Sequence, residues 1–178
     1  MTQDGTHDLF RRLFDSIVKP LLNGEEDDFG RLYRFVELND DEAAKVLFQG
    51  TFGCRGGREL LETIFFSMAR DEKDGLSLLA TVIAGETTAS FGDRFRSECR
   101  TGEKPTRVAL LDVLPAFAIG GWARKVLTAG LLDREQEIRE AASRALTALY
   151  GPDCEYDPED PPAEREVMVH ELFGVAKR

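Results

Sequence analysis

The apolar residues of this chain recur every three or four positions almost from end to end, a period that only packed helices satisfy. In the first segment Leu9, Phe10, Leu13, Phe14, Ile17, Val18, Leu21 and Leu22 form one broad stripe. Thr6 or Asp8 is placed to cap its start, and Pro20 and Gly24 mark its end. Phe29, Leu32, Tyr33, Phe35 and Val36 predict a second helix after the acidic run Glu25 to Asp28. Asp40, Asp41 and Glu42 open a third that ends near Gln49. Carboxylates at helix starts complement the positive end of the helix dipole, so these clusters need neither metal nor substrate to explain them. No segment keeps a two-residue alternation and no Asn-Gly hairpin signal occurs, so strands are not expected.

Residues 50–57, Gly-Thr-Phe-Gly-Cys-Arg-Gly-Gly, make the clearest break. After them the helices come in pairs. Leu60, Leu61, Ile64, Phe65 and Met68 define one helix, and Leu76, Leu79, Val82 and Ile83 define its partner across Asp71 to Asp74. A second pair runs from Glu86 to Cys99 and from Thr106 to Ile119, and a third from Trp122 to Leu132 and from Arg134 to Tyr150. The pairs start about 30 residues apart, the spacing of stacked helical hairpins. The expected layout is one all-helical domain over 1–150, with 1–50 as an N-terminal helical cap and 57–150 as about three hairpins. An irregular helical bundle is the alternative.

Residues 123–151 combine an apolar first helix, a turn carrying Asp133, the dipeptide Ile138-Arg139, and the small residues Ala141, Ala142 and Ala145 ahead of Leu146. This segment resembles a HEAT repeat. The resemblance implies an α-solenoid in which Asp133 and Arg139 tie turn to helix and the small side chains let the second helix pack closely. The two earlier pairs match it weakly and the first 50 residues do not match it. Such arrays bind proteins along a surface lined by the second helix of each pair, which points to Arg107, Glu137, Glu140 and Arg144 as interface residues.

Beyond Gly151 the composition turns acidic and proline-rich, with Pro152, Pro158, Pro161 and Pro162 among five Asp and Glu residues. That stretch, 151–163, reads as a linker that cannot be helical throughout. The last segment, 164–178, offers Val167, Met168, Leu172 and Phe173 as a helix that caps the open end of the array, with a mobile peptide for a partner as the alternative.

The chain carries 33 acidic against 23 basic residues, a net charge of −10, which argues against nucleic acid as the partner of the whole surface. The sign reverses in one place. Arg94, Arg96, Arg100, Lys104 and Arg107 stand against Glu98 and Glu103, a local net charge of +3 over residues 94–107. The segment is read either as a patch for an acidic partner or phosphate backbone, or as a solvated helix face. Trp122, between Gly121 and Ala123, is read as an interface anchor if exposed and as a gap filler beside the glycines if packed.

Gly50, Gly53, Gly56 and Gly57 with Arg55 and Arg58 precede a helix, and free amides there suit an anion. The phosphate-loop pattern nevertheless demands Lys-Ser/Thr after its last glycine, where this chain has Arg58-Glu59, so an inter-helix turn is the competing reading. No catalytic set is visible. His170 lies four residues after Glu166 without the second His of a zinc-protease motif, and His7 is remote from it. Asp71 to Gly75 and Asp153 to Asp160 lack the spacing of a calcium loop. Cys54, Cys99 and Cys154 are odd in number and widely spaced. With no signal-type N-terminus and no apolar run long enough for a membrane, they suit a cytoplasmic protein. Val46 to Gly50 reads Val-Leu-Phe-Gln-Gly and resembles the cleavage linker of a picornaviral cysteine protease, but Thr51 stands where that linker has Pro. It is read as a chance match at a helix end, cleavable only if the segment is an exposed loop.

The functional expectation is a non-enzymatic protein-interaction module without a cofactor: an adaptor, a regulatory subunit or an acidic inhibitor of the immunity type. Phosphate or nucleic-acid binding through 94–107 is the alternative, and an enzyme or small-ligand carrier that draws on the glycine loop a third.

Overall fold

The computed structural model describes residues 10–26, 28–39, 41–117 and 121–174. Leu9, the candidate caps Thr6 and Asp8, His7, Asp27, Asp40, Ile119, Gly120 and residues 175–178 lie outside them. The described residues are helical with no strand, as the period requires. They divide into two compact units, Met1–Glu86 and Thr87–Arg178, where the sequence suggests one domain over 1–150.

In the first unit α1 comprises a π-helical turn, Phe14–Val18, followed by Lys19–Leu22. The cause of the wide turn is Pro20, which lacks an N–H and whose ring crowds the carbonyl four residues back. The Lys19 N–H bonds to the Phe14 carbonyl, five residues away. Next come α2 (Gly30–Leu38), α3 (Asp41–Phe52), α4 (Gly57–Arg70) and α5 (Leu76–Ile83). The α3 helix touches all four of the others. Leu47 and Phe48 of α3 are buried in the same unit as Leu61, Ile64, Phe65 and Leu79 of the helices that follow.

The glycine break lets α3 fold back on α4. Gly56 adopts φ +77°, and a side chain at Gly57 would lie 1.8 Å from the Thr51 carbonyl oxygen. Phe52 ends α3 three residues beyond Gln49, so Val46 to Gly50 is helix interior with Leu47 and Phe48 fully buried.

The second unit holds α6 (Ala89–Thr101), α7 (Lys104–Val113), α8 (Gly121–Leu131), α9 (Gln136–Tyr150) and α10 (Pro162–Phe173). Thr88 caps α6 through its hydroxyl, which accepts the Phe91 N–H at 3.1 Å. Helix α6 packs on α7 and α8, and α9 packs on α7 and α8. Helices α4 and α6 begin at residues 57 and 89, a step of 32, and α7 and α9 begin at 104 and 136, the same step. Close approach of α8 to α9 depends on small residues. Ala141, Ala142 and Ala145 are buried, and a side chain at Gly130 would sit 2.9 Å from the Ala142 Cβ.

The acidic segment after Gly151 is not a free linker. Tyr156 is buried and its hydroxyl donates to the Leu131 carbonyl. Arg139 donates from Nε to the Pro158 carbonyl at 2.7 Å. Burial pushes the Tyr156 phenol up to about 12. Helix α10, entered through Pro161 and Pro162, buries Arg165, Val169 and Phe173 at four-residue steps and packs on α8. Arg124 of α8 donates to the Phe173 carbonyl and lies 5.2 Å from the center of its ring.

Candidate functional site

The site is built from three short rows on neighboring helices of the second unit. On α6, Phe91 and Phe95 face inward, and the helical period then places Asp93, Arg96, Ser97 and Arg100 together on another face. Arg107 and Leu111 of α7 stand four apart, as do Lys125 and Ala129 of α8. With Cys99, Val126, Gly130 and Asp133 these residues line a half-open cleft of about 510 Å³. Its lining charges are Arg96, Arg100, Arg107 and Lys125 against Asp93 and Asp133, a net +2 in a chain of −10.

The four cations are not equivalent. Arg96 is paired with Asp93 one turn earlier. Arg107, its side chain only 12% exposed, has its whole fork engaged. Its Nε donates to the Cys99 carbonyl at 2.8 Å, its Nη1 to Glu135 at 3.0 Å, and its Nη2 to Asp133. Arg100 and Lys125 are exposed and make no ion pair among the described residues. Burial pushes the Cys99 thiol up, so the cleft wall it forms stays neutral.

The remaining predicted interface residues bond within the chain. Lys104 Nζ meets Glu137 at 2.9 Å, a bond that raises the lysine and lowers the carboxyl relative to their ordinary values. Arg144 grips Asp112 with two hydrogen bonds of 3.0 and 3.2 Å, and Glu140 accepts from Gln136 at 2.9 Å. Arg94 lies on α6 outside the cleft lining. Of the segment 94–107, then, Arg96, Arg100 and Arg107 converge while Arg94 and Lys104 do not.

Trp122 packs among Phe91, Phe95 and Phe117, with ring centers 6.1, 5.0 and 5.7 Å away, and fills the space over Gly92. At the glycine loop Arg58 covers the Phe52 ring at 5.3 Å and Arg55 is exposed; the glycines serve the turn between α3 and α4.

Lys125, Asp93 and Ser97 are cleft residues that sequence reasoning missed. Lys125 stands 32 residues after Asp93, the same step that separates the starts of α7 and α9, and that spacing was the available signal. Among the described residues no group of three or more His, Cys, Asp or Glu is placed to hold a metal. Also among them, no helix is long and apolar enough to cross a membrane. No family model, curated protein or solved structure matches the chain.

Proposed function

We propose that the chain is a non-enzymatic binding module of HEAT-like stacked hairpins that engages a protein partner through the α6–α7–α8 cleft. The observation that carries this reading is the contrast in charge use. Lys104, Arg107, Glu137 and Arg144 are engaged within the fold, whereas Arg100 and Lys125 flank a concavity without a counter-charge among the described residues. An adaptor, a regulatory subunit and an inhibitor of the immunity type all need such a surface and no catalytic group.

The stacked-hairpin part draws on register. Arg107 and Arg139 are each the fourth residue of the second helix of their hairpin. Arg107 reaches the Asp133 turn of the following hairpin. Arg139 donates to the Asp133 and Arg134 carbonyls of its own turn, at 3.2 and 2.9 Å, and to Pro158 beyond it. Segment 151–161 thereby stands where a further hairpin's turn would, which fits the capped end that a repeat array requires.

Affinity capture from native lysate tests the proposal. The unaltered chain should retain a discrete partner that R100E/K125E loses while keeping its native Trp122 fluorescence. Equal capture by both, or no partner, would refute it. The alternative, a nucleic-acid backbone along 94–107, has fewer charges at its disposal, because Arg96, Lys104 and Arg107 already sit on carboxylates. It calls for DNA or RNA binding whose affinity falls steeply with salt.

A further inference from the structure

We infer that the cleft recognizes a phosphoryl group, held between Arg100 of α6 and Lys125 of α8, with the body of the ligand on the apolar floor of Leu111, Val126 and Ala129. This rests on the reading that the cleft is the module's recognition site and names the chemistry recognized there.

Charge sets the class of ligand. Arg96 is paired with Asp93, and Arg107 with Asp133, Glu135 and the Cys99 carbonyl, so both already have partners within the fold. What remains is a pair of cations that make no ion pair among the described residues and line one concavity from two packed helices. A phosphate ester carries about −1.5 to −2 at pH 7 and balances the charge of both cations, whereas a carboxylate balances that of one. The guanidinium supplies a planar two-pronged donor and the ammonium a point charge, a combination suited to phosphate oxygens. Ser97, on the same face of α6, adds a hydroxyl. The apolar floor and the protonated Cys99 add no competing anion, and the two carboxylates of the lining, Asp93 and Asp133, are paired with Arg96 and Arg107.

Size and net charge set the scale. A cleft of about 510 Å³ falls within the ~300–1,000 Å³ typical of small-ligand sites. It accommodates one phosphorylated side chain or one small phosphate ester, and a net charge of −10 opposes a long polyanion but only weakly a single dianionic group.

The test is calorimetric titration of the whole chain with phenyl phosphate, with phenylacetate as the carboxylate counterpart, at low ionic strength. Phenyl phosphate should bind at least tenfold more tightly than phenylacetate. R100A and K125A should each weaken phosphate binding tenfold or more, whereas R134A, a surface arginine outside the cleft, should not. Equal affinity for the two anions, no binding, or insensitivity to R100A and K125A overturns the inference, as does loss of binding in R55A at the glycine loop.

A phosphoserine hexapeptide binding more tightly than phenyl phosphate assigns the group to a phosphorylated protein. The opposite order assigns it to a small ester. Phosphatase treatment of the lysate separates this inference from the proposed function: capture that is lost in R100E/K125E but survives phosphatase leaves the module standing and removes the phosphoryl group.

Discussion

Replacing Arg107 by Met tests whether the two hairpins of the second unit are tied through the Asp133 turn. The side chains of Arg107 and Asp133 are 12% and 20% exposed, so removing the guanidinium leaves a mostly buried carboxylate without its counter-charge. Breaking a buried pair from one side costs about 3–5 kcal/mol, and the residual exposure places this case near the lower end, about 3 kcal/mol. The Cys99 carbonyl loses its donor as well. For a unit of this size the expected fall in Tm is about 12–24 °C.

Urea unfolding followed by Trp122 fluorescence reads the second unit, because Trp122 is the chain's sole tryptophan. D133N keeps an oxygen for the Glu135 N–H, which Asp133 now accepts at 3.0 Å, and so removes the charge alone. The cycle of R107M, D133N and the double variant should show a coupling of about 2 kcal/mol. R144M, which breaks a pair whose side chains are 56% and 41% exposed, should cost within about 1 kcal/mol. The reasoning is wrong if R107M costs no more than R144M, or if R107M and D133N are additive.

G92A should destabilize the second unit by about 1–3 kcal/mol, because its Cβ would lie 2.8 Å from a Trp122 indole held among three phenylalanines. Its Tm and tryptophan emission report this, and an unchanged Tm contradicts the packing described. The picornaviral protease should leave the folded chain intact and cleave after Gln49 only as urea melts α3, since Leu47 and Phe48 are buried; prompt cleavage in buffer contradicts a stable α3. Stability should also fall in alkali. Burial holds the protons of Cys99 and Tyr156 more tightly in the folded chain, so the unfolded chain releases them first. The loss then begins above the ordinary thiol value of 9.0 and continues toward pH 12, while neutral pH leaves both contributions intact. Y156F should flatten the decline of the urea midpoint between pH 10 and 12, and an unaltered decline contradicts that assignment.

The helices were legible because their signal is local. Stripes such as Leu60, Leu61, Ile64, Phe65 and Met68 state which face of a helix is apolar, and the structure buries that face. The turn between α8 and α9 was likewise legible from Asp133 and Ile138-Arg139, although the bond from Arg139 goes to the turn carbonyls and the Asp133 carboxylate goes to Arg107. The reversal of charge at 94–107 pointed to the region of the cleft, but not to which of its cations remain available.

That distinction depends on groups far apart in the chain. Arg107 finds Asp133 at a separation of 26 residues, and Lys104 finds Glu137 at 33. Lys125 and Arg100 line one cleft only because α6 packs on α8. Composition and period do not encode those meetings. They follow from how closely helices approach, which Gly130 and Ala142 set between α8 and α9 and which Gly57 sets where α3 turns into α4. By itself the sequence determined that the chain is helical, acidic and basic in one short segment. Tertiary packing decided where the units divide, that the proline-rich segment is strapped to α9, and which two of the basic side chains face the cleft without a counter-charge among the described residues. A charge is neutralized by what lies within a few ångströms in space, and only the fold brings those neighbors together.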